Sequence, residues 1–168
     1  MVTVRSVKHS DAQAISDIYN HYIVDSVATF EEQKVSAQTI QQRIETTKAQ
    51  QLPWLVLSDH NRILGYAYAA QWKHRSAYRF SVETTIYLAP DAKAKGYGST
   101  LYSTLFELLK SLPVNSIIAG ITLPNESSVK LHEKMGMRQV AHFEEVGFKF
   151  GRWLDTGYWQ IILNHAIN

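Results

Sequence analysis

Cysteine is absent from the 168 residues. Disulfides, thiolate nucleophiles and cysteine-based zinc sites are therefore excluded. Charge of one sign is also missing: 17 Lys and Arg face 15 Asp and Glu, a net +2. That field is too weak for the basic stripe of a nucleic-acid groove, so no nucleic-acid partner is expected. No apolar run approaches the ~18 residues of a membrane helix, and no membrane partner is expected. The stretch Met1-Val2-Thr3-Val4-Arg5 lacks the long apolar core of a signal peptide, which makes a cytoplasmic protein the expectation. The 7 histidines are scattered without an HExxH-type spacing, so no metal site is expected. Proline and glycine number 4 and 8, and no linker, repeat or low-complexity tract divides the chain. With 45% hydrophobic and 19% charged residues, disorder is excluded and one domain over residues 1–168 is expected.

The pattern predicts β-α-α-β-β-β-α-β-α-β-β. Residues 3–7 alternate as a strand. A helix capped by Ser10 or Asp11 follows, with Ile15, Ile18, Tyr19 and Tyr22 at helical spacing. A second helix starts at Ser36, where Val35 and Ile40 are spaced as a hydrophobic staple. Residues 53–57 and 63–71 read as a hairpin about the turn 59–62. Residues 81–88 form a strand with Val82, Thr84, Ile86 and Leu88 on one face and Glu83, Thr85 and Tyr87 on the other. A helix carrying Leu101, Leu105, Leu108, Leu109 and Leu112 ends at Pro113, and residues 116–123 read as a strand covered on both faces. A short helix then runs to Met135, with Gly136 at its C-cap. Strands over 137–142 and 153–163, joined by a loop, complete the chain.

Lys93-Ala94-Lys95-Gly96-Tyr97-Gly98-Ser99 lies at a strand-to-helix junction. Two glycines let the backbone curl until its amides converge on one anion, and the helix adds its positive end. Phosphate or pyrophosphate is the natural guest, although a lone Gly-x-Gly is often only a turn. The loop is neither a Walker sequence nor a Rossmann fingerprint, because the Gly-Lys-Ser/Thr and the third glycine are missing. After the next strand comes Asn125-Glu126-Ser127-Ser128-Val129-Lys130-Leu131-His132-Glu133-Lys134-Met135-Gly136. Asn125 is placed to cap this helix or to reach a ligand.

The pairing of these two segments resembles the GNAT superfamily of acetyl-CoA-dependent N-acetyltransferases, which join a Gln/Arg-x-x-Gly-x-Gly/Ala loop to an Asn-x-x-Ser-x-x-x-Tyr-Glu-Lys-x-Gly-Phe segment. Lys93 replaces the family's Gln or Arg, and His132 replaces its Tyr, which leaves open which residue protonates the departing thiolate. Residues 20–23, 72–78, 98–102 and 147–155 further resemble the phosphinothricin and methionine sulfoximine N-acetyltransferases, with matching segments from about residue 3 to about residue 163. The Trp72-Lys73-His74-Arg75 and Gly147-Phe148-Lys149-Phe150-Gly151-Arg152-Trp153 blocks are the specific ones.

The resemblance implies an α/β fold whose mixed, splayed central sheet of about seven strands is flanked by helices, with acetyl-CoA as co-substrate in the gap. It places coenzyme contacts at Ile86, Tyr87 and Leu88, at Lys93 through Ser99, and at Asn125 and Ser128. It makes Glu83, the only acid between Asp59 and Asp91, the catalytic carboxylate, and His132 a candidate acid. Read without the family, Glu83 is an edge-strand charge, His132 a satisfied buried histidine and Tyr87 core. The cluster Lys73, His74, Arg75 and Arg79, interleaved with Trp72 and Tyr78, suits a small anionic acceptor: Arg forks a carboxylate and Lys holds a further oxygen. Phe30 matches a family position lining that pocket. A homodimer, with its C-terminal block near the interface, is the family expectation. Acetylation of a protein N-terminus or lysine, or coenzyme binding without catalysis, are the competing readings.

Overall fold

The computed structural model describes residues 1–164. In chain order the elements are β1 (Val2–Ser6), α1 (Ala12–Asp25), α2 (Ala37–Ala49), β2 (Trp54–Asp59), β3 (Arg62–Gln71), β4 (Ser81–Leu88), α3 (Tyr97–Lys110), β5 (Ser116–Leu123), α4 (Glu126–Lys134), β6 (Arg138–Lys149) and β7 (Arg152–Ile162). The strands build a 7-stranded sheet in the order β1-β2-β3-β4-β5-β7-β6. All neighbours are antiparallel except β4 and β5, which run parallel and pair only over Ser81–Glu83 with Ser116–Ile118. Beyond Glu83 the two strands share no pairs, so the sheet opens toward their C-terminal ends. This is the expected mixed α/β fold with a splayed central sheet.

The helices bury the two faces. On one face, Leu101, Leu105 and Leu109 of α3 are 0% exposed, and the Tyr102 hydroxyl lies 3.3 Å from Thr84 Oγ1. On the other, Tyr19 and Tyr22 of α1 pack their rings against Tyr87 at 5.3 and 4.8 Å, with Tyr66 behind it. The α2 cap is as expected, with Ser36 accepting from the Thr39 amide at 3.1 Å. Asp11 opens α1 differently. Its carboxylate accepts from both Arg5 guanidinium nitrogens at 2.8 Å and from the Lys8 amide at 2.7 Å, after a 3-10 turn over His9–Asp11.

One element departs from expectation. Residues 143–149 belong to β6, where a loop was predicted. Two bulges shift the β6–β7 register, and Glu145 takes φ 50°. Phe143, Val146 and Phe148 all face outward in the chain, so the inward-apolar alternation that marks a strand is lost.

Candidate active site

The loop before α3 has the local geometry of an anion cradle. Ala94 and Gly96 take φ 62° and 77°, left-handed positions that turn successive amides inward. Gly96 is the N-cap of α3 and has no side chain to cap it, so the first amides of the helix, at Tyr97, Gly98 and Ser99, have no side-chain partner from the cap. Lys134 of α4 donates to Ser99 Oγ at 3.2 Å, placing an ammonium beside the same helix start. Lys93 sits over the Tyr22 ring at 4.9 Å, and Lys95 is exposed. Gly98 serves packing: a β-carbon there would meet Leu131 Cδ2 at 3.3 Å and Leu88 Cδ1 at 3.7 Å. This backbone fits a pyrophosphate, the group acetyl-CoA presents.

Just past the end of β4, Ala89 donates its amide to Leu64 on β3 at 2.8 Å. Alternation along an antiparallel strand therefore turns the amides of Ile86 and Leu88 toward the opening. The Leu88 carbonyl is taken by the Tyr22 hydroxyl at 2.6 Å, and the Tyr87 ring is in the aromatic cluster under α1. Across the gap, Asn125 caps α4 by accepting from the Ser128 amide at 3.2 Å. The Ser128 carbonyl lies 2.7 Å from His132 Nδ1, and Tyr102 Oη lies 3.0 Å from Nε2. His132 is 3% exposed, and burial pushes its pKa down. Nδ1 thus donates to the Ser128 carbonyl and Nε2 accepts from Tyr102. This is the satisfied, neutral histidine of the structural reading, with no free nitrogen facing the gap.

Glu83 occupies the last paired position of β4, opposite Ile118, where the sheet begins to part. It lies on a central strand, not at an edge. Burial alone raises its pKa. Gly120 of β5 faces it, and Tyr158 of β7, paired with Gly120 in register, folds its ring over that glycine. Tyr158 is raised in turn by burial and by the Glu83 charge. Trp72 and Phe143 meet the Tyr158 ring edge-on at 5.6 and 5.8 Å. The exposed loop that follows β3 shapes an open depression of about 410 Å³ lined by Trp72, Lys73, His74, Arg75 and Tyr78. The Lys73 ammonium lies 5.6 Å from the Trp72 ring and 5.8 Å from that of Tyr78. Phe30 stands on the α1–α2 connection, its ring against the backbone of Gly147.

The opening between β4 and β5 thus has a curled glycine loop at one end and a desolvated carboxylate at the other. The acetyltransferase (GNAT) domain family model matches residues 4–157. The chain belongs to the GNAT acetyltransferase family. It is 38% identical over 161 residues to the phosphinothricin N-acetyltransferase of Streptomyces viridochromogenes, covering 95% of this chain and 86% of that one. It is 32% identical over 169 residues to the L-methionine sulfoximine/L-methionine sulfone acetyltransferase of Salmonella typhimurium, covering 98% and 97%. Among solved structures, a Sinorhizobium meliloti GNAT phosphinothricin acetyltransferase in complex with acetyl-CoA superposes with a TM-score of 0.93 at 36% identity, over 96% of this chain and 88% of that one. A Salmonella typhimurium protein solved with its cofactor acetyl-CoA gives 0.95 at 31% identity, covering 99% and 96%. This GNAT chain is an N-acetyltransferase.

Sequence reasoning did not single out Gly120, Tyr158 or Phe143. A glycine inside the apolar run 116–123 was a usable signal, because glycine within a strand marks a close approach. Tyr158 carried none, since an aromatic on a strand reads as core.

Proposed function

We propose that this GNAT enzyme transfers acetyl from acetyl-CoA directly to the α-amine of a small amino acid whose side chain ends in a tetrahedral oxyanion-like group. Methionine sulfoximine, methionine sulfone and phosphinothricin fit that description. The observation that carries the reading is Glu83: a half-buried carboxylate with a raised pKa, at the point where the two central strands part. Acetyl-CoA supplies the activated acetyl thioester. The cradle over Lys93 to Ser99 holds its pyrophosphate, and the open β4 edge at Ile86 to Leu88 aligns its pantetheine arm. Glu83 accepts the ammonium proton of the acceptor, for which a raised pKa is an advantage. No covalent enzyme intermediate is needed, because positioning and a base suffice. His132 holds Tyr102 and the α4 turn, and as the C–S bond breaks the leaving thiolate takes up, through solvent, the second proton that the attacking amine sheds on forming the amide.

The acceptor class is supported by the cations of the open depression over residues 72–78 and by the relatives named for phosphinothricin and methionine sulfoximine. Arg75 forks the α-carboxylate and Lys73 reaches the distal oxygens. A lysine side chain would bring a second cation against Lys73 and Arg75. The test is kcat/KM for methionine sulfoximine, phosphinothricin, free methionine and an N-terminal peptide. The sulfoximine or phosphinothricin should lead, and Arg75→Ala should raise its KM at least about tenfold with coenzyme affinity unchanged. A preference for the peptide would overturn the acceptor assignment.

The β6–β7 arm supports pairing with a second copy of the chain. Phe143, Val146, Phe148, Phe150 and Trp153 leave an apolar row in water, with Trp153 61% exposed. In this reading residues 1–168 form one cytoplasmic domain that works as a homodimer and uses no metal. Sedimentation of wild type and Trp153→Asp should separate dimer from monomer.

A further inference from the structure

Lys149 is the most buried Lys, Arg, His, Asp or Glu side chain among the described residues, at 2% exposure, and no carboxylate pairs with it there. Its ammonium donates to two backbone carbonyls distant in sequence, Ser26 at 2.8 Å and Thr29 at 2.9 Å. Both belong to the connection that leaves α1 and carries Phe30. From the other side, the Tyr87 hydroxyl donates to the Ala28 carbonyl at 3.3 Å, and Tyr19 Oη lies 2.8 Å from Thr29 Oγ1. Two positions before Lys149, Gly147 leaves room for Phe30, whose Cε2 lies 2.3 Å from where a β-carbon would stand.

These contacts have a topological meaning. Tyr87 belongs to β4 and Lys149 to β6, strands on opposite sides of the opening in the sheet. The segment Ser26–Phe30 therefore straps one half of the sheet to the other on the Glu83 face. A lysine is a costly way to close a loop, since its charge must leave water. A methionine would fill the same volume at lower cost. The ammonium does what a methyl cannot: it fixes two carbonyls, and with them the backbone that presents Phe30.

We propose that Lys149 is a positioning residue for the acceptor pocket, acting through the Phe30 segment. The proposal rests on the acceptor reading above, and on the strap that holds the Phe30 segment over the Glu83 face of the sheet, with the Phe30 ring against Gly147. Lys149 touches no reacting atom. It sets where Phe30 stands relative to Glu83, and hence which acceptors fit.

The test is a double-mutant cycle of Lys149→Met and Phe30→Ala in the full chain. It uses whichever acceptor of the panel the wild type turns over fastest. Lys149→Met should raise acceptor KM about tenfold, leave the calorimetric acetyl-CoA Kd within about twofold, and speed amide exchange over residues 27–30. In the Phe30→Ala background the same substitution should add little to KM. Lys149→Arg should resemble Lys149→Met, because a planar fork cannot occupy the place of a point ammonium between two carbonyls. An unchanged KM, equal effects in both backgrounds, or coenzyme Kd rising in step with KM would each overturn the proposal. So would loss of the fold in both variants, which would make Lys149 a folding residue only. If the wild type prefers the peptide, the acceptor class is wrong, and the cycle run on the peptide still judges Lys149.

Discussion

Gly120 and Glu83 face each other across the point where the sheet parts: a β-carbon on Gly120 would stand 3.6 Å from Glu83 Oε1 and 3.1 Å from Tyr158 Cε1. Under the proposed mechanism the glycine is the floor of the space in which the carboxylate meets an acceptor. Gly120→Ala is expected to displace the Tyr158 ring by a few tenths of an ångström. Because catalysis is sensitive to small misplacements, kcat/KM should fall on the order of tenfold. The melting temperature should barely move, and steady-state kinetics beside a thermal melt checks both.

Under the proposed mechanism Glu83→Gln keeps the shape and removes the base, so kcat should fall about 10²–10⁴-fold with coenzyme affinity unchanged. The same variant tests the burial of the carboxyl. Since the folded pKa is raised, the folded state holds its proton to higher pH than the unfolded chain. The stability from this group is full below the ordinary glutamate value of about 4.3 and is lost as pH rises through the raised one. Glu83→Gln should therefore melt above wild type at pH 8, and the gap should close toward pH 4. A variant with wild-type kcat would leave Glu83 only a structural role.

Gly98→Val would drive a branched side chain against Leu131 and Leu88, separating α3 from α4 and β4. Both the melting temperature and acetyl-CoA affinity should drop, the latter by at least about tenfold as the helix start moves out of line. Calorimetric titration with unchanged affinity would remove the cradle from the coenzyme site.

His132 gives a pH signature of the opposite sign. Burial lowers its pKa, so its stabilising contribution is full above the ordinary histidine value of about 6.5 and is lost as pH falls through the lowered one. Wild type should lose melting temperature on acidification through that window, and His132→Gln should show a flatter profile. A kcat for His132→Gln close to wild type, once folded, would fit its place between Tyr102 and Ser128. A loss of several hundredfold would restore it as an acid.

Local signals made much of this molecule legible. The turn at 59–62 announced the β2–β3 hairpin, and Ser36 with Ile40 announced α2. The paired glycines announced a curled loop before α3. What escaped depended on long-range partners. The second half of β6 hides its period because its outward side chains are apolar. The left-handed Ala94 breaks the rule that glycine marks such positions. Tyr158 and Lys149 have meaning only through residues brought to them by the sheet order. A buried lysine in particular reads, in one dimension, as any surface lysine.

The parallel contact between β4 and β5, three residue pairs long, has a thermodynamic corollary. Strands β1 to β4 and strands β5 to β7 each close on themselves through longer antiparallel ladders. The two units share one buried core and the Ser26–Phe30 strap, and the narrow seam between their ladders is the weakest hydrogen-bonded joint between them. Acetyl-CoA bound along the seam, as proposed, would stand in for the missing rungs. Part of its binding free energy then appears as cohesion between the units, and the enzyme is most nearly a single body while its cargo is aboard.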